Sequence, residues 1–289
     1  MQIHIDNLHF TYPSGVQALQ GLSLTIEPGE QVAIVGQNGA GKTTLVRHLN
    51  GLLLPSSGSV RVGDWLTRDS SVAKLAARVG YVFQNPDDQL FNGNVRDEVK
   101  FGPTNLGFTP EQIEAQVDEA LTRLELSEKA AVNPYDLTPT WRKRVAIAAI
   151  LAMDTPIIIL DEPTTGQDHH SVQHLAGLIQ HLRQQGKTVI AISHDIDFVA
   201  ENFDRIVVMG QGRVLLDGPA ETVFAEEEIL NSTYVQPPQL ARLASRLDLG
   251  QVVYTVNGFL AANQAKRSCF AGYPPNFWGL TIFNFSVTM

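Results

Sequence analysis

Residues 36–43 read GQNGAGKT, between an apolar run, QVAIV (31–35), and TTLVRHLNGLL (43–53), whose apolar residues recur at helical spacing. A Gly-x-x-x-x-Gly-Lys-Thr stretch on a strand-to-helix turn has the form of a phosphate-binding loop. Gly39 and Gly41 let successive backbone N–H groups curl around phosphate oxygens, and the helix N-terminus adds its dipole. Lys42 supplies a cation for the β- and γ-phosphates, and the Thr43 hydroxyl is placed to ligate Mg²⁺. The candidate nucleotide contacts are therefore Gly36, Gln37, Asn38, Gly39, Ala40, Gly41, Lys42, Thr43 and Thr44.

Working outward, strands and helices alternate. QIHIDNLHFTY alternates as a half-buried strand, and LSLTIEPGEQVAIVG reads as strand, Pro-Gly turn and strand. ARVGYVFQ, TPIIIL and KTVIAIS read as further strands, and RIVVMGQGRVLLDG as a hairpin. Helices are expected over 110–126, with Ile113, Val117, Leu121 and Leu124 on one face, over 141–153 and over 170–185. This order predicts an α/β fold, a P-loop NTPase core with a mostly parallel sheet, an N-terminal antiparallel β subdomain and an inserted helical subdomain at about 86–153. The expected domain is 1–235, followed by a C-terminal extension, 236–289. In its last part, 249–289, no acidic residue occurs, 8 of the chain's 22 aromatics fall, and no period is evident.

The chain has 289 residues, 44% of them apolar, enough for a large core. A net charge of −9 argues against nucleic-acid binding through the general field. A single cysteine, Cys269, suits a reducing compartment and leaves no internal disulfide framework. No leader is read at MQIHIDNLHF, and no run reaches the ~18–20 apolar residues that span a bilayer. A soluble chain is expected, reaching a membrane through partners.

IIILDEP (157–163) is an apolar strand ending in two carboxylates. Asp161 can hold Mg²⁺ through water, and Glu162 can polarise an attacking water. Gln84 and His194 each follow a strand, at the edge where parallel sheets form ligand sites. Glutamine can ligate metal or position water, and histidine can hydrogen-bond a γ-phosphate and hold the water–glutamate geometry.

The order GQNGAGKT, Gln84, RKRVAIA, IIILDEP, TTGQD and SHD resembles the ATP-binding cassette ATPases of membrane transporters over about residues 1–235. That resemblance implies ATP and Mg²⁺ as ligands, ATP hydrolysis coupled to transport, and a second ATPase subunit as partner. It also implies that Tyr12, in FTYPSG, stacks on adenine and that Asp168 lies at the dimer interface. FQNPDDQLFNGNVRDEVKFGPTNLG with PTTGQD is similar to energy-coupling-factor and cobalt/nickel importer ATPases. There the matching segment, here 85–107 with Asp87, Asp88 and Gln89 at its head, meets a transmembrane coupling subunit that works with a substrate-binding membrane protein. A place on the cytoplasmic face of the membrane follows from that resemblance. Two alternatives stay open: a soluble cassette ATPase uncoupled from transport, and a nucleotide-binding regulatory subunit with little turnover.

One stretch departs from the family. Where its members read Leu-Ser-Gly-Gly-Gln, this chain has Leu137-Thr138-Pro139-Thr140-Trp141. As a helix start this is sound, with Thr138 as N-cap and Pro139 at the first position. As a clamp on the γ-phosphate of a partner's nucleotide it is damaged. Pro139 has no N–H to give, Thr140 brings a Cβ where close approach is needed, and Trp141 is bulky. One lost charge-assisted N–H bond costs on the order of 1.5–3 kcal/mol, roughly ten- to hundred-fold in rate. An asymmetric heterodimer is the expected consequence.

Overall fold

The computed structural model describes the backbone of residues 1–270. In chain order the strands are β1 (Ile3–Thr11), β2 (Gln17–Ile26), β3 (Gln31–Val35), β4 (Ser57–Val62), β5 (Trp65–Leu66), β6 (Val79–Val82), β7 (Ile157–Asp161), β8 (Thr188–Ile192), β9 (Arg205–Gly210) and β10 (Arg213–Pro219). The helices that matter below are α1 (Lys42–Leu49), α2 (Val72–Leu75), α3 (Val95–Asn105), α4 (Pro110–Arg123), α5 (Pro139–Leu151), α6 (His169–Gln184) and α7 (Ile196–Asn202). The chain divides into two compact units, Met1–Pro237 and a second beginning at Pro238.

In the first unit β2-β1-β4-β5 form an antiparallel sheet, and β10-β9-β3-β8-β7-β6 form a second. The second sheet is parallel except for β10, which turns back on β9 through Gln211 and Gly212, both at positive φ as a tight hairpin requires. β3, β7 and β8 are buried at every position, so their sequences are apolar runs rather than alternations. β1 does alternate, but its inward residues are Ile3 and Ile5, then Leu8 and Phe10. A strand of strict period two cannot bury all four. A register shift between Ile5 and Leu8, with Asn7 at φ 44°, absorbs the extra residue and returns Leu8 to the core.

The main core lies between the two sheets and α1 and runs from Ile3, Leu22 and Ile26 to Leu45, Ile159 and Ile190. In the helical stretch α3 and α4 pack against each other and α5, which also lies against β6. α4 begins at a reciprocal cap: Thr109 accepts from the Gln112 N–H while the Gln112 side chain accepts from the Thr109 N–H. Its inward face is Ile113, Val117, Ala120 and Leu121, close to the face expected from the period. Within the expected helical insertion α3 is not evident as a separate helix, because Gly102 and Pro103 lie within it and interrupt any helical pattern.

The second unit holds a helix over Gln239–Arg246 and another over Val256–Phe270. Ala244, Val253 and Ala262 form its small core, with Leu249 and Phe259 packed on it. Within 249–289, where no period is evident in the sequence, Val256–Phe270 is helical; 271–289 lies outside the described residues. Among the described residues, no helix is long and apolar enough to cross a membrane.

Candidate functional site

Parallel pairing places the ends of β3, β8, β7 and β6 side by side in that order. The residues leaving those ends are the loop from Gly36, His194, Glu162 and Gln84. Four separate stretches of sequence thus converge on one sheet edge, where open α/β sheets hold their ligands.

In the loop, Gly36, Gly39 and Gly41 all have positive φ. A Cβ on Gly36 would sit 2.2 Å from the Met209 carbonyl oxygen, and one on Gly41 would sit 2.6 Å from that of Ala18. Neither position admits another residue without moving backbone. Ala40 is buried, and its carbonyl accepts from the Gly212 N–H at 3.1 Å, which ties the loop to the β9–β10 turn. Gln37 and Asn38 stand at the loop's outer side, Asn38 exposed. Lys42 is buried and folds back over the loop, its Nζ donating to Gly36 O at 2.6 Å and Gln37 O at 3.0 Å. Burial pulls its pKa below the usual lysine value, while Glu162 and Asp161 hold it up.

Thr43 is half-buried at the start of α1. Thr44 is buried and its hydroxyl lies 3.0 Å from the Tyr12 hydroxyl. What Thr44 can offer a phosphate is therefore its backbone N–H. Tyr12 is half-buried, held by that bond and by an edge-on contact with Phe10 at 4.8 Å between ring centroids.

Asp161 is buried, and its Oδ2 accepts from the Tyr81 hydroxyl at 2.7 Å. Its Oδ1 is also buried and has no hydrogen-bond partner among the described residues. A carboxylate oxygen kept dry and unpaired is costly unless a cation or its water shell satisfies it. Asp161 thus fits a hard divalent cation, with the Thr43 hydroxyl and the exposed Gln84 side chain as the further oxygen donors. Tyr81 has its own pKa pushed up, by burial first and then by Asp161.

Glu162 follows with φ 48°, a backbone held in place by its N–H to Ile192 O at 2.9 Å. Its Oε2 lies 2.7 Å from His194 Nδ1. The Glu162 side chain is 10% exposed and that of His194 68%, so the pair runs from the buried strand end out to solvent. Together, cation, cradle, orphan carboxylate oxygen and oriented glutamate can bind a polyphosphate and direct a water at it.

Asp168 does something local: it caps α6, its Oδ1 accepting from the Ser171 N–H at 2.8 Å. That backbone bond, with the Ser171 hydroxyl, holds its carboxyl below the usual range. In the head of segment 85–107, Asp87 accepts from Arg142 at 2.7 Å. Gln89 turns inward, donating to Ala146 O at 2.7 Å and accepting from the Phe83 N–H at 3.2 Å. Asp88 alone of the three faces solvent without such an anchor inside the fold. Farther along, Phe91 and Phe101 meet edge to face at 4.7 Å although they are 59% and 48% exposed.

At 137–141 the helix α5 starts as expected, with Pro139 at its first position, but the Thr138 side chain makes no capping bond. The Trp141 ring has two cations over it, Lys129 Nζ at 4.5 Å and the Arg144 guanidinium at 4.6 Å from its centroid. Arg144 in turn pairs with Glu125. Two site residues escaped the sequence reading: Tyr81, one polar tip in an apolar strand, and Lys143, a lysine within RKRVAIA. Lys143 is 2% exposed and donates to Phe83 O, Gln84 O and Asp161 O. For Tyr81 the only signal was a polar tip inside an apolar strand; Lys143, between Arg142 and Arg144, carries none.

The sequence profile of the ABC transporter family matches residues 19–165. An ABC transporter ATP-binding protein assigned in Methanosarcina mazei is 42% identical over 264 residues, 91% of this chain and 44% of that protein. This chain thus spans less than half the length of that relative. The energy-coupling factor transporter ATP-binding protein EcfA of Methanosphaera stadtmanae is 37% identical over 259 residues, 89% of this chain and 93% of that one. Among solved structures, CbiO1 of Clostridium perfringens, part of the transporter complex CbiONQ, is similar with TM-score 0.71 and 36% identity, covering 85% of this chain and 98% of its own. A dimeric ATP-binding cassette solved with ADP and phosphate is similar with TM-score 0.69 and 28% identity, covering 75% of this chain and 98% of its own.

Proposed function

Because the chain belongs to the ABC transporter family of ATPases, we propose that it binds and hydrolyses ATP to power a membrane importer of the energy-coupling-factor type. The solute would be a vitamin or a transition metal. The observation that carries the ATPase reading is the Glu162–His194 pair beside the orphan Oδ1 of Asp161. The loop N–H groups and Lys42 hold the phosphates. Glu162 takes a proton from the attacking water, and His194 fixes the carboxylate through Nδ1 and reaches the γ-phosphate from its exposed side. Thr43, Asp161 and Gln84 would hold Mg²⁺, which would supply charge neutralisation at the phosphates. Tyr12, set edge to face with Phe10, stacks on the adenine.

The importer reading rests on EcfA and CbiO as relatives and on segment 85–107. Its exposed Phe91–Phe101 pair is an apolar contact that suits a transmembrane coupling subunit. Through that subunit, and a substrate-binding membrane protein beside it, the chain would sit on the cytoplasmic face of the membrane. Nucleic acid is not among the proposed partners.

The dimer reading follows from the dimeric relative and from Asp168 and Thr138–Trp141. Pro139 lacks an N–H, and Trp141 is engaged by its own subunit's cations. Both features favour an asymmetric heterodimer, in which a second ATPase supplies a sound clamp to this chain's nucleotide. A regulatory module with little turnover is the second reading, supported by the same stretch. The experiment is Lys42→Ala: it should abolish tight Mg·ATP binding, and unchanged nucleotide affinity would sink the site. Copurification with native membrane partners tests the importer.

A further inference from the structure

The Lys143 ammonium is an unusual place to spend a charge. It is 2% exposed, sits on α5, and its three donors point at main-chain carbonyls: Gln84 O at 2.6 Å, Phe83 O at 3.0 Å and Asp161 O at 3.5 Å. A buried cation is tolerated only where its hydrogen bonds are met, and a methionine of similar length would fill the same space without desolvating a charge. Burial brings its pKa down to about 8, with Asp161 and Glu162 opposing. Packing alone does not call for lysine here.

We propose that Lys143 is a positioning residue for hydrolysis: it locks the loop bearing Gln84 and the end of the Asp161 strand to helix α5. The proposal rests on the ATPase reading above. Three segments distant in sequence meet at one ammonium group: residues 83–84 leaving β6, Asp161 closing β7, and α5. Two neighbours reinforce the grip on the loop. Arg142 holds Asp87 at 2.7 Å, and Ala146 O accepts from Gln89, whose other atom accepts from the Phe83 N–H. These contacts flank the loop; Lys143 alone also reaches the strand that carries the metal and water carboxylates. Any shift of α5, whose first turn is Pro139–Trp141, is thereby passed to Gln84 and Asp161 as one displacement.

The test uses the full chain. Lys143→Met should lower the single-turnover hydrolysis rate by about tenfold or more, since small misplacements at a reacting centre are expensive. The KM for ATP, and the affinity for a fluorescent ATP analogue without Mg²⁺, should stay within about twofold. Amide hydrogen exchange at 83–90 should accelerate, and Lys143→Arg, which keeps charge and donors, should recover part of the rate. If Lys143→Met cannot fold, Lys143→Gln, with fewer donors, carries the same expectations. A wild-type rate together with unchanged exchange at 83–90 in a folded variant overturns the proposal. Equal losses of rate and nucleotide affinity, with no recovery in Lys143→Arg, also overturn it, because they mark a general structural defect. Absence of hydrolysis in the wild-type chain with a sound partner would instead refute the ATPase reading, and the exchange data would still judge the lock.

Discussion

His194 Nδ1 lies 2.7 Å from Glu162 Oε2, joining an exposed imidazole to a carboxylate that is nearly buried. The imidazole fixes which way Glu162 points. Glu162→Gln should keep ATP binding and lower hydrolysis by about 10²–10⁴-fold, the usual worth of a general base. His194→Ala should cost less in rate and leave nucleotide affinity intact. Phosphate-release assays decide this, and normal turnover by the glutamine variant would remove Glu162 from its role.

Tyr81→Phe deletes one hydroxyl and leaves both oxygens of Asp161 without a side-chain hydrogen-bond partner among the described residues. The expected loss is about 1–3 kcal/mol of stability in the absence of metal, partly recovered by Mg²⁺ with ATP. Urea midpoints with and without Mg·ATP measure it. No destabilisation would mean that water serves Asp161 as well as Tyr81 does.

Docking is best tested without touching Asp87. Asp87 is already paired with Arg142, so reversing it damages the fold locally as well as any interface. Asp88→Lys combined with Phe91→Ala leaves that pair alone. It should weaken copurification with the membrane subunit while nucleotide affinity of the isolated chain stays unchanged. Intact assembly would move the docking surface elsewhere.

Purified alone, the chain should bind ATP yet hydrolyse it poorly, and a partner with a sound clamp should restore turnover. A fourfold variant, Thr138→Ser, Pro139→Gly, Thr140→Gly and Trp141→Gln, returns a backbone donor and small residues to the start of α5. Its turnover alone should rise by about tenfold or more. Brisk hydrolysis by the unmodified chain, or no gain in a variant that still dimerises, counts against the asymmetric pair.

His48 offers a pH test. It is fully buried on α1, its Nδ1 bonded to Thr44 O at 2.7 Å. Burial holds its pKa below the ordinary histidine value. The unfolded chain therefore takes up a proton, near pH 6.5 and below, that the folded chain resists. Stability present above that point should be lost as pH falls toward the folded value. Between pH 7.5 and 5.5 the urea midpoint should drop more for the wild type than for His48→Gln, and parallel drops would exclude His48 as the cause.

How much of this was legible in the sequence depended on distance along the chain. The phosphate loop, the apolar strand into Asp161 and the apolar face of α4 are local patterns, and each appears where the residues announce it. The family resemblance likewise agrees with the relatives found. Not legible were features that exist only once the chain has folded. The Asn7 bulge is a mismatch between two half-strands, visible only when both face one core. Tyr81 and Lys143 look like surface-capable residues until β6 and α5 close over them. Gln89 resembled part of a docking loop but points inward.

The indole of Trp141, in contact with Lys129 and Arg144, is also an optical handle. Indole emission is sensitive to nearby charge, and both cations stand within 5 Å of this ring. An anion drawn toward the start of α5 would pull on those side chains and shift the spectrum. With Trp65 and Trp278 replaced by phenylalanine, the chain would carry one native fluorophore at the spot where a second subunit's nucleotide would approach. Pairing could then be followed by stopped-flow without an attached dye.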